Sequence, residues 1–151
     1  MTALEVKMIR LTIDASVDVE TGDAGIGCVW LENGEQYQLK HSLTERMDNH
    51  LAEFYALHYA LNALLKKGRE TEWILCQSDS RIVVDSVNKQ YHKRDPYKTL
   101  LKVCLKQIDK FANFNLVWVP ESQTKGADHL ARQAMRQSRD QKQQIKYLAV
   151  K

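Results

Sequence analysis

Four carboxylates, Asp14, Glu53, Asp79 and Asp128, carry the chemistry open to this chain. Asp14 ends the stretch Lys7-Met8-Ile9-Arg10-Leu11-Thr12-Ile13-Asp14, which alternates loosely and is rich in β-formers. Asp79 ends a second such run, Glu72-Trp73-Ile74-Leu75-Cys76-Gln77-Ser78-Asp79. Both acids thus fall at the carboxyl ends of expected strands, the edge where α/β sheets bind ligands. Asp128 lies in the first turn of an expected helix, just after the last strand returns to that edge. Glu53 sits on an apolar helix, where an acid is costly unless a positive group, either a lysine at the rim or a cation, stands beside it. Two carboxylates about 4 Å apart repel by roughly 1 kcal/mol in water and about 4 kcal/mol at an effective dielectric near 20. Four on one rim need a cation, and hard oxygen donors suit Mg²⁺ or Mn²⁺, with water and a substrate phosphate completing the shell.

The elements that must position these acids follow from periodicity. In the segment from Asp48 to Leu65, Leu51, Phe54, Leu57, His58, Leu61, Leu64 and Leu65 recur at helical spacing. Asp48 is a suitable N-cap, and Lys66-Lys67-Gly68 supplies a basic last turn and a stop. The polar face is thin, so this helix is expected to be buried on more than one side. Before it, residues 7–14, 24–31 and 36–41 read as an antiparallel meander, with Asn33-Gly34 marking a hairpin. Gly25 and Gly27 in the second strand mark a close approach by backbone or ligand. After it come a strand over 72–79 reached by a parallel crossover and a short helix over 80–88. A helix opened by Asp95-Pro96 follows, then a strand over 115–120, a polar loop over 121–126 and a helix from Ala127 to about Gln143. The order βββαβααβα predicts an α/β fold: a five-stranded mixed sheet, three strands antiparallel and then a crossover, with helices on both faces.

The chain has 151 residues, 44% hydrophobic and 27% charged, which suits one domain with a real core over about residues 6–143. A formal charge of +3 does not by itself demand a nucleic-acid partner. Cys28, Cys76 and Cys104 are odd in number and widely spaced, and read as reduced, mostly core thiols. The N-terminal residues lack the apolar core of a signal peptide, and no apolar run approaches a membrane span, so a cytoplasmic location is expected, with no membrane or protein partner implied. No Ser, Cys or His forms a triad that competes with the carboxylates.

Five motifs in order carry a resemblance: Ile13-Asp14-Ala15-Ser16, Gly22-Asp23-Ala24-Gly25-Ile26-Gly27, Asn49-His50-Leu51-Ala52-Glu53, Ser78-Asp79-Ser80 and Ala127-Asp128-His129-Leu130-Ala131. Over about residues 8–136 the chain resembles ribonuclease H of type 1 and the related reverse-transcriptase-like proteins. The resemblance implies a ribonuclease H-like fold in which Asp14, Glu53, Asp79 and Asp128 hold two Mg²⁺ ions. It further implies hydrolysis of the RNA strand of RNA–DNA hybrids, one ion activating water and the other stabilising the leaving 3′ oxygen. Asn49, His50, Ser16, Ser80, Lys93 and Arg94 are then the expected nucleic-acid contacts, with Lys89 and His92 beside the last two.

The chain also departs from the family's pattern. Asp14 is followed by Ala15 where the family usually has Gly, and Val19-Glu20-Thr21-Gly22 replaces a Gly-Asn-Pro-Gly turn that meets the 2′-hydroxyls of RNA. Asp48-Asn49-His50 replaces Thr-Asn-Asn, and Glu121 follows Val119-Pro120 where a His or Arg often lies nearby. These changes spare the metal ligands and touch substrate handling. They keep open a nucleic-acid-binding protein of the same fold with little cleavage, or a nuclease of that fold acting on another substrate. The basic runs Lys89 to Arg94 and Arg132, Arg136, Arg139, Lys142 and Lys146 read either as solvated faces or as phosphate-contacting ones. His58 is expected to be a satisfied core or rim histidine, and Trp30, Trp73 and Trp118 are expected in the core, with base stacking as the alternative.

Overall fold

The structure, a computed structural model, describes the backbone of residues 7–150 and the side chains of residues 7–143. Strands β1 (Met8–Val17), β2 (Ala24–Glu32) and β3 (Glu35–Ser42) form the expected antiparallel meander. The β2–β3 turn places Asn33 and Gly34 at φ 54° and 75°, the left-handed pair that makes Asn-Gly a hairpin signal. Helix α1 (Asn49–Lys66) leads by a crossover to β4 (Trp73–Ser78), which runs parallel to β1. Helices α2 (Arg81–Lys89) and α3 (Tyr97–Ile108) lead to β5 (Asn113–Trp118), parallel to β4. A single 3₁₀ turn, Glu121–Gln123, precedes helix α4 (Lys125–Val150). The sheet order is β3-β2-β1-β4-β5, so the strand carrying Asp14 is central.

Several local signals act as the sequence requires. Asp48 caps α1, its Oδ1 accepting from the Leu51 N–H at 2.8 Å. Helix α1 packs on β1, β2 and α3, burying Phe54, Leu57, Leu61 and Leu64 completely, which is why so little of its surface is polar. His58 faces α3 and its Nδ1 meets Gln107 Oε1 at 2.9 Å, a satisfied rim histidine. Cys28, Cys76 and Cys104 are buried free thiols. Burial pushes Cys28 and Cys104 up to about 12 and Cys76 well above its ordinary value, so none is a nucleophile. Among the described residues, no helix is long and apolar enough to cross a membrane.

The glycines of β2 set the position of α4. A Cβ on Gly25 would stand 2.2 Å from the Met135 nitrogen, and one on Gly27 would stand 2.3 Å from the Ala127 carbonyl oxygen. The approach that these glycines mark is therefore that of the α4 backbone. The alternate residues Ile26 and Cys28 point the other way, into the core that α1 completes.

Three expectations need correction. Strand β1 does not stop at Asp14: its ladder with β2 continues to Val17↔Ala24, while its ladder with β4 ends at Ile13↔Ser78. Asp14 thus lies inside a strand but one residue beyond the parallel half of the sheet, and it still opens onto that edge. Helix α4 begins at Lys125, two residues earlier than expected, and continues to Val150. Trp30 is core, but Trp73 and Trp118 are 47% and 39% exposed, because Trp73 starts its strand and Trp118 ends the edge strand β5.

Candidate active site

The four carboxylates come from four separate elements and face one cavity. Asp14 arrives on β1, Glu53 on the second turn of α1, Asp79 on the residue after β4, and Asp128 in the first turn of α4. The cavity has a volume of about 440 Å³, and Ala15, Asn49, Glu121, Thr124, Lys125 and Arg132 complete most of its wall. Asp14 is the most enclosed of the four. Burial first, then the charge of Asp79, push its carboxyl up from 3.8 to about 8, with Asp128 and Glu53 adding and the Ala15 N–H opposing. Burial also raises Glu53, with Asp79 adding and with Ser80, His50 and Asn49 opposing.

Each acid is oriented by a neighbour. The Ala15 N–H donates to Asp14 Oδ1 at 2.9 Å, so the residue that replaces the usual glycine still serves that acid through its backbone. Asn49 Nδ2 donates to Glu53 Oε1 at 3.1 Å, and His50 Nδ1 lies 3.8 Å from Glu53 Oε2. Thr124, almost wholly buried, donates its hydroxyl to Asp79 Oδ2 at 2.8 Å. Arg132 Nε reaches both Asp128 oxygens, at 3.1 and 3.2 Å. Among the described residues, no three acidic or histidine side chains close into a finished metal shell. The donor set nonetheless fits a hard divalent cation. It is all oxygen, and a carboxyl raised to about 8 by burial and then by the charges of three other acids marks crowded carboxylates that a cation would relieve.

The expected nucleic-acid contacts separate into two groups. Asn49 and Ser16 line a second cavity of about 350 Å³ that continues from the first and includes Arg132 and Arg136. His50 and Ser80 line a third, of about 370 Å³, on the other side of Glu53 and Asp79. Lys93 and Arg94 stand exposed on the α2–α3 connection and line none of these walls. Neighbouring His92 packs against the rings of Phe54 and Tyr97. The α4 basic run divides as well. Arg139 pairs with Asp18 at 3.3 Å and Lys142 with buried Asp23 at 2.7 Å, so these two tie down the β1–β2 turn. The Lys146 side chain lies outside the described residues.

Sequence reasoning missed Thr124, which it left in a polar loop. A signal was available, because a threonine directly before a helix is a capping type, and its carbonyl accepts from the Asp128 N–H at 2.9 Å. Thr124→Val keeps shape and removes the donor to Asp79. It is expected to weaken divalent-cation affinity by about ten- to a hundredfold while leaving the fold intact, as read by calorimetric titration beside a thermal melt.

A ribonuclease H-like fold with an acid-lined cavity at its sheet edge is the class this geometry defines. It is similar to ribonuclease H1 of Halobacterium salinarum, with a TM-score of 0.77 at 22% identity over 86% of this chain and 98% of that one. The N-terminal RNase H domain of rv2228c from Mycobacterium tuberculosis superposes with a TM-score of 0.79 at 23% identity, covering 89% of this chain and 98% of that one. LC11-RNase H1 in complex with an RNA/DNA hybrid gives 0.71 at 21% identity, with coverage of 86% and 98%. Residues 12–134 match the reverse transcriptase-like family, and the chain belongs to that family. A relative from Enterococcus faecalis (strain ATCC 700802 / V583), named "Putative hydrolase EbsB", is 38% identical over 131 residues, which is 85% of this chain and 94% of that protein.

Proposed function

We propose that this protein is a metal-dependent endonuclease that hydrolyses the RNA strand of RNA–DNA hybrids. The observation that carries the reading is the convergence of Asp14, Glu53, Asp79 and Asp128 on one cavity, with Asp14 pushed up to about 8 by burial and by the other three. The family, the hybrid-bound structural neighbour and the hydrolase name of the Enterococcus relative all agree with it. Asp14, Glu53, Asp79 and Asp128 would hold two Mg²⁺ ions, or Mn²⁺. Such ions supply a water nucleophile at neutral pH and stabilise charge on the attacked phosphate and the leaving 3′ oxygen. The chain's own residues set the geometry. Thr124 fixes the Asp79 carboxylate and Asn49 fixes Glu53. Arg132 holds Asp128 and, with Arg136, Ser16 and Asn49, lines a groove suited to a strand's phosphates. Lys93 and Arg94 stand where they would add affinity at a distance from the cut.

The test is incubation with labelled hybrid, double-stranded RNA, single-stranded RNA and duplex DNA, in Mg²⁺, Mn²⁺ or chelator. Cutting confined to the RNA of the hybrid, and lost in chelator, is expected; metal-independent cutting, or equal cutting of duplex DNA, would overturn the reading.

One observation favours a second reading, binding with little cleavage. Glu121 lines the acid cavity as a fifth carboxylate, where it repels an incoming phosphate. Ala15 is buried in the same wall, and Val19 and Glu20 stand exposed on the turn beyond. Misplacing a phosphate by about 1 Å costs on the order of a hundredfold in rate. Ala15→Gly with Glu121→Arg is therefore expected to raise the single-turnover rate on hybrid by about tenfold or more, and to raise affinity for duplex DNA less, because only the hybrid offers 2′-hydroxyls. An unchanged hybrid rate would make both departures neutral.

A further inference from the structure

The third cavity holds a feature that hydrolysis at the carboxylates does not use. Trp118 ends β5 with its indole partly open, and its Nε1 donates to the Asp79 backbone carbonyl at 3.1 Å, which fixes the ring's orientation. Arg81, the first residue of α2, lays its guanidinium over that ring, 3.9 Å from the centroid. Among the described residues Arg81 forms no ion pair, and it is exposed, so the outer plane of the guanidinium is open. The two side chains and Ile82 make one wall of the cavity, which shares Glu53, Asp79 and Glu121 with the acid cavity. A fixed, half-open indole under a free guanidinium, next to a phosphate-cutting site, has the shape and charge of a stacking surface. Bases stack on aromatic rings and on arginine planes, and the guanidinium charge attracts the adjoining phosphate.

We propose that Arg81 and Trp118 form a platform for the flat face of the nucleotide next to the phosphate being cut. That face is either an unpaired base at a duplex end or the sugar of a paired nucleotide, and the platform rests on the reading of the acid cavity as a phosphodiester hydrolase. The full chain carrying Asp14→Asn, which spares substrate and leaves the platform untouched, is titrated by anisotropy in Mg²⁺ with a blunt hybrid and with one bearing a single-stranded extension. Arg81→Lys keeps the charge and removes the plane; Trp118→Phe keeps a ring and removes the donor to Asp79. Arg81→Lys and Trp118→Ala are each expected to weaken binding by about 5- to 20-fold, with Trp118→Phe within about twofold of the parent. Loss confined to the extended hybrid identifies a stacked base, and equal loss on both identifies the sugar. Unchanged affinity in Arg81→Lys overturns the platform, and because Arg81 is exposed this variant decides the matter even if Trp118→Ala does not fold. Trp118→Phe losing as much as Trp118→Ala also overturns it, making Trp118 a positioning residue for the Asp79 carbonyl. If the parent binds neither hybrid, the hydrolase reading falls and takes the platform with it; tight parental binding with silent variants removes the platform alone.

Discussion

Asp14→Asn is expected to lower hybrid cleavage by at least about a hundredfold, since loss of one proposed metal ligand would forfeit several kcal/mol of charge stabilisation, and to stabilise the metal-free protein. The two effects share one cause. Burial first, and then the charges of Asp79, Asp128 and Glu53, push the Asp14 carboxyl up to about 8 from an ordinary 3.8. Below the ordinary value the acid is protonated folded and unfolded alike, and it adds nothing to pH dependence. Between 3.8 and about 8 the folded chain keeps the proton that the unfolded chain has lost, so stability falls as pH rises through that window. The slope from this group reaches at most about 1.4 kcal/mol per pH unit. Asn carries no charge, so the variant lacks that decline, and its advantage over the parent widens from acid to neutral pH. Thermal melts in chelator from pH 4 to 8 check this, and added Mg²⁺ should stabilise the parent more than the variant. Parallel melting curves for the two proteins would place Asp14 outside the acid cluster.

Gly27→Ala is expected to damage both the fold and the site. Gly27 lies directly across the β1–β2 ladder from Asp14, and a methyl group there meets the α4 backbone at Ala127 and Ala131, on either side of Asp128. Backbone cannot rotate away as a side chain tip can, so α4 must shift. Overpacking of this kind costs about 1–3 kcal/mol, occasionally more, and each kcal/mol lowers Tm by about 2–4 °C in a domain of this size. A shift of about 1 Å in Asp128 relative to Asp14 costs on the order of a further hundredfold in rate. Gly34→Ala separates the two effects. Its φ of +75° also disfavours a side chain, but a Cβ there meets nothing within 4 Å, far from the acids. It should lose about 1–2 kcal/mol from the left-handed backbone and keep its rate. Equal rates in the two variants would mean that α4 tolerates the methyl group without moving Asp128.

The four acids were legible in the sequence because each lies next to a boundary: the end of the parallel pairing for Asp14 and Asp79, a helix's first turns for Glu53 and Asp128. The core of α1 was legible because Leu, Phe and Ala at helical spacing leave one buried arrangement open to it. What stayed hidden depends on partners distant in the chain. The reach of β1 past Asp14 is set by β2, which pairs as far as Val17, and not by anything within the strand. Trp73 and Trp118 look like core residues in apolar runs, yet Trp73 opens its strand and Trp118 ends a strand that the sheet order puts at the edge. Arg139 and Lys142 belong to a basic stripe along α4, but Asp18 and Asp23, more than a hundred residues away, neutralise them. Thr124 matters only because Asp79 of a different element comes within 2.8 Å of its hydroxyl.

The most direct measurement of the central claim is end-group analysis of the RNA fragments released from a labelled hybrid by the parent protein and by Asp79→Asn. In-line attack of water with a 3′ oxygen leaving gives 5′-phosphate and 3′-hydroxyl ends, formed only with Mg²⁺ or Mn²⁺. The account predicts those ends from the parent and no fragments from Asp79→Asn. Cyclic 2′,3′-phosphate ends, or fragments from Asp79→Asn at the parental rate, would contradict it.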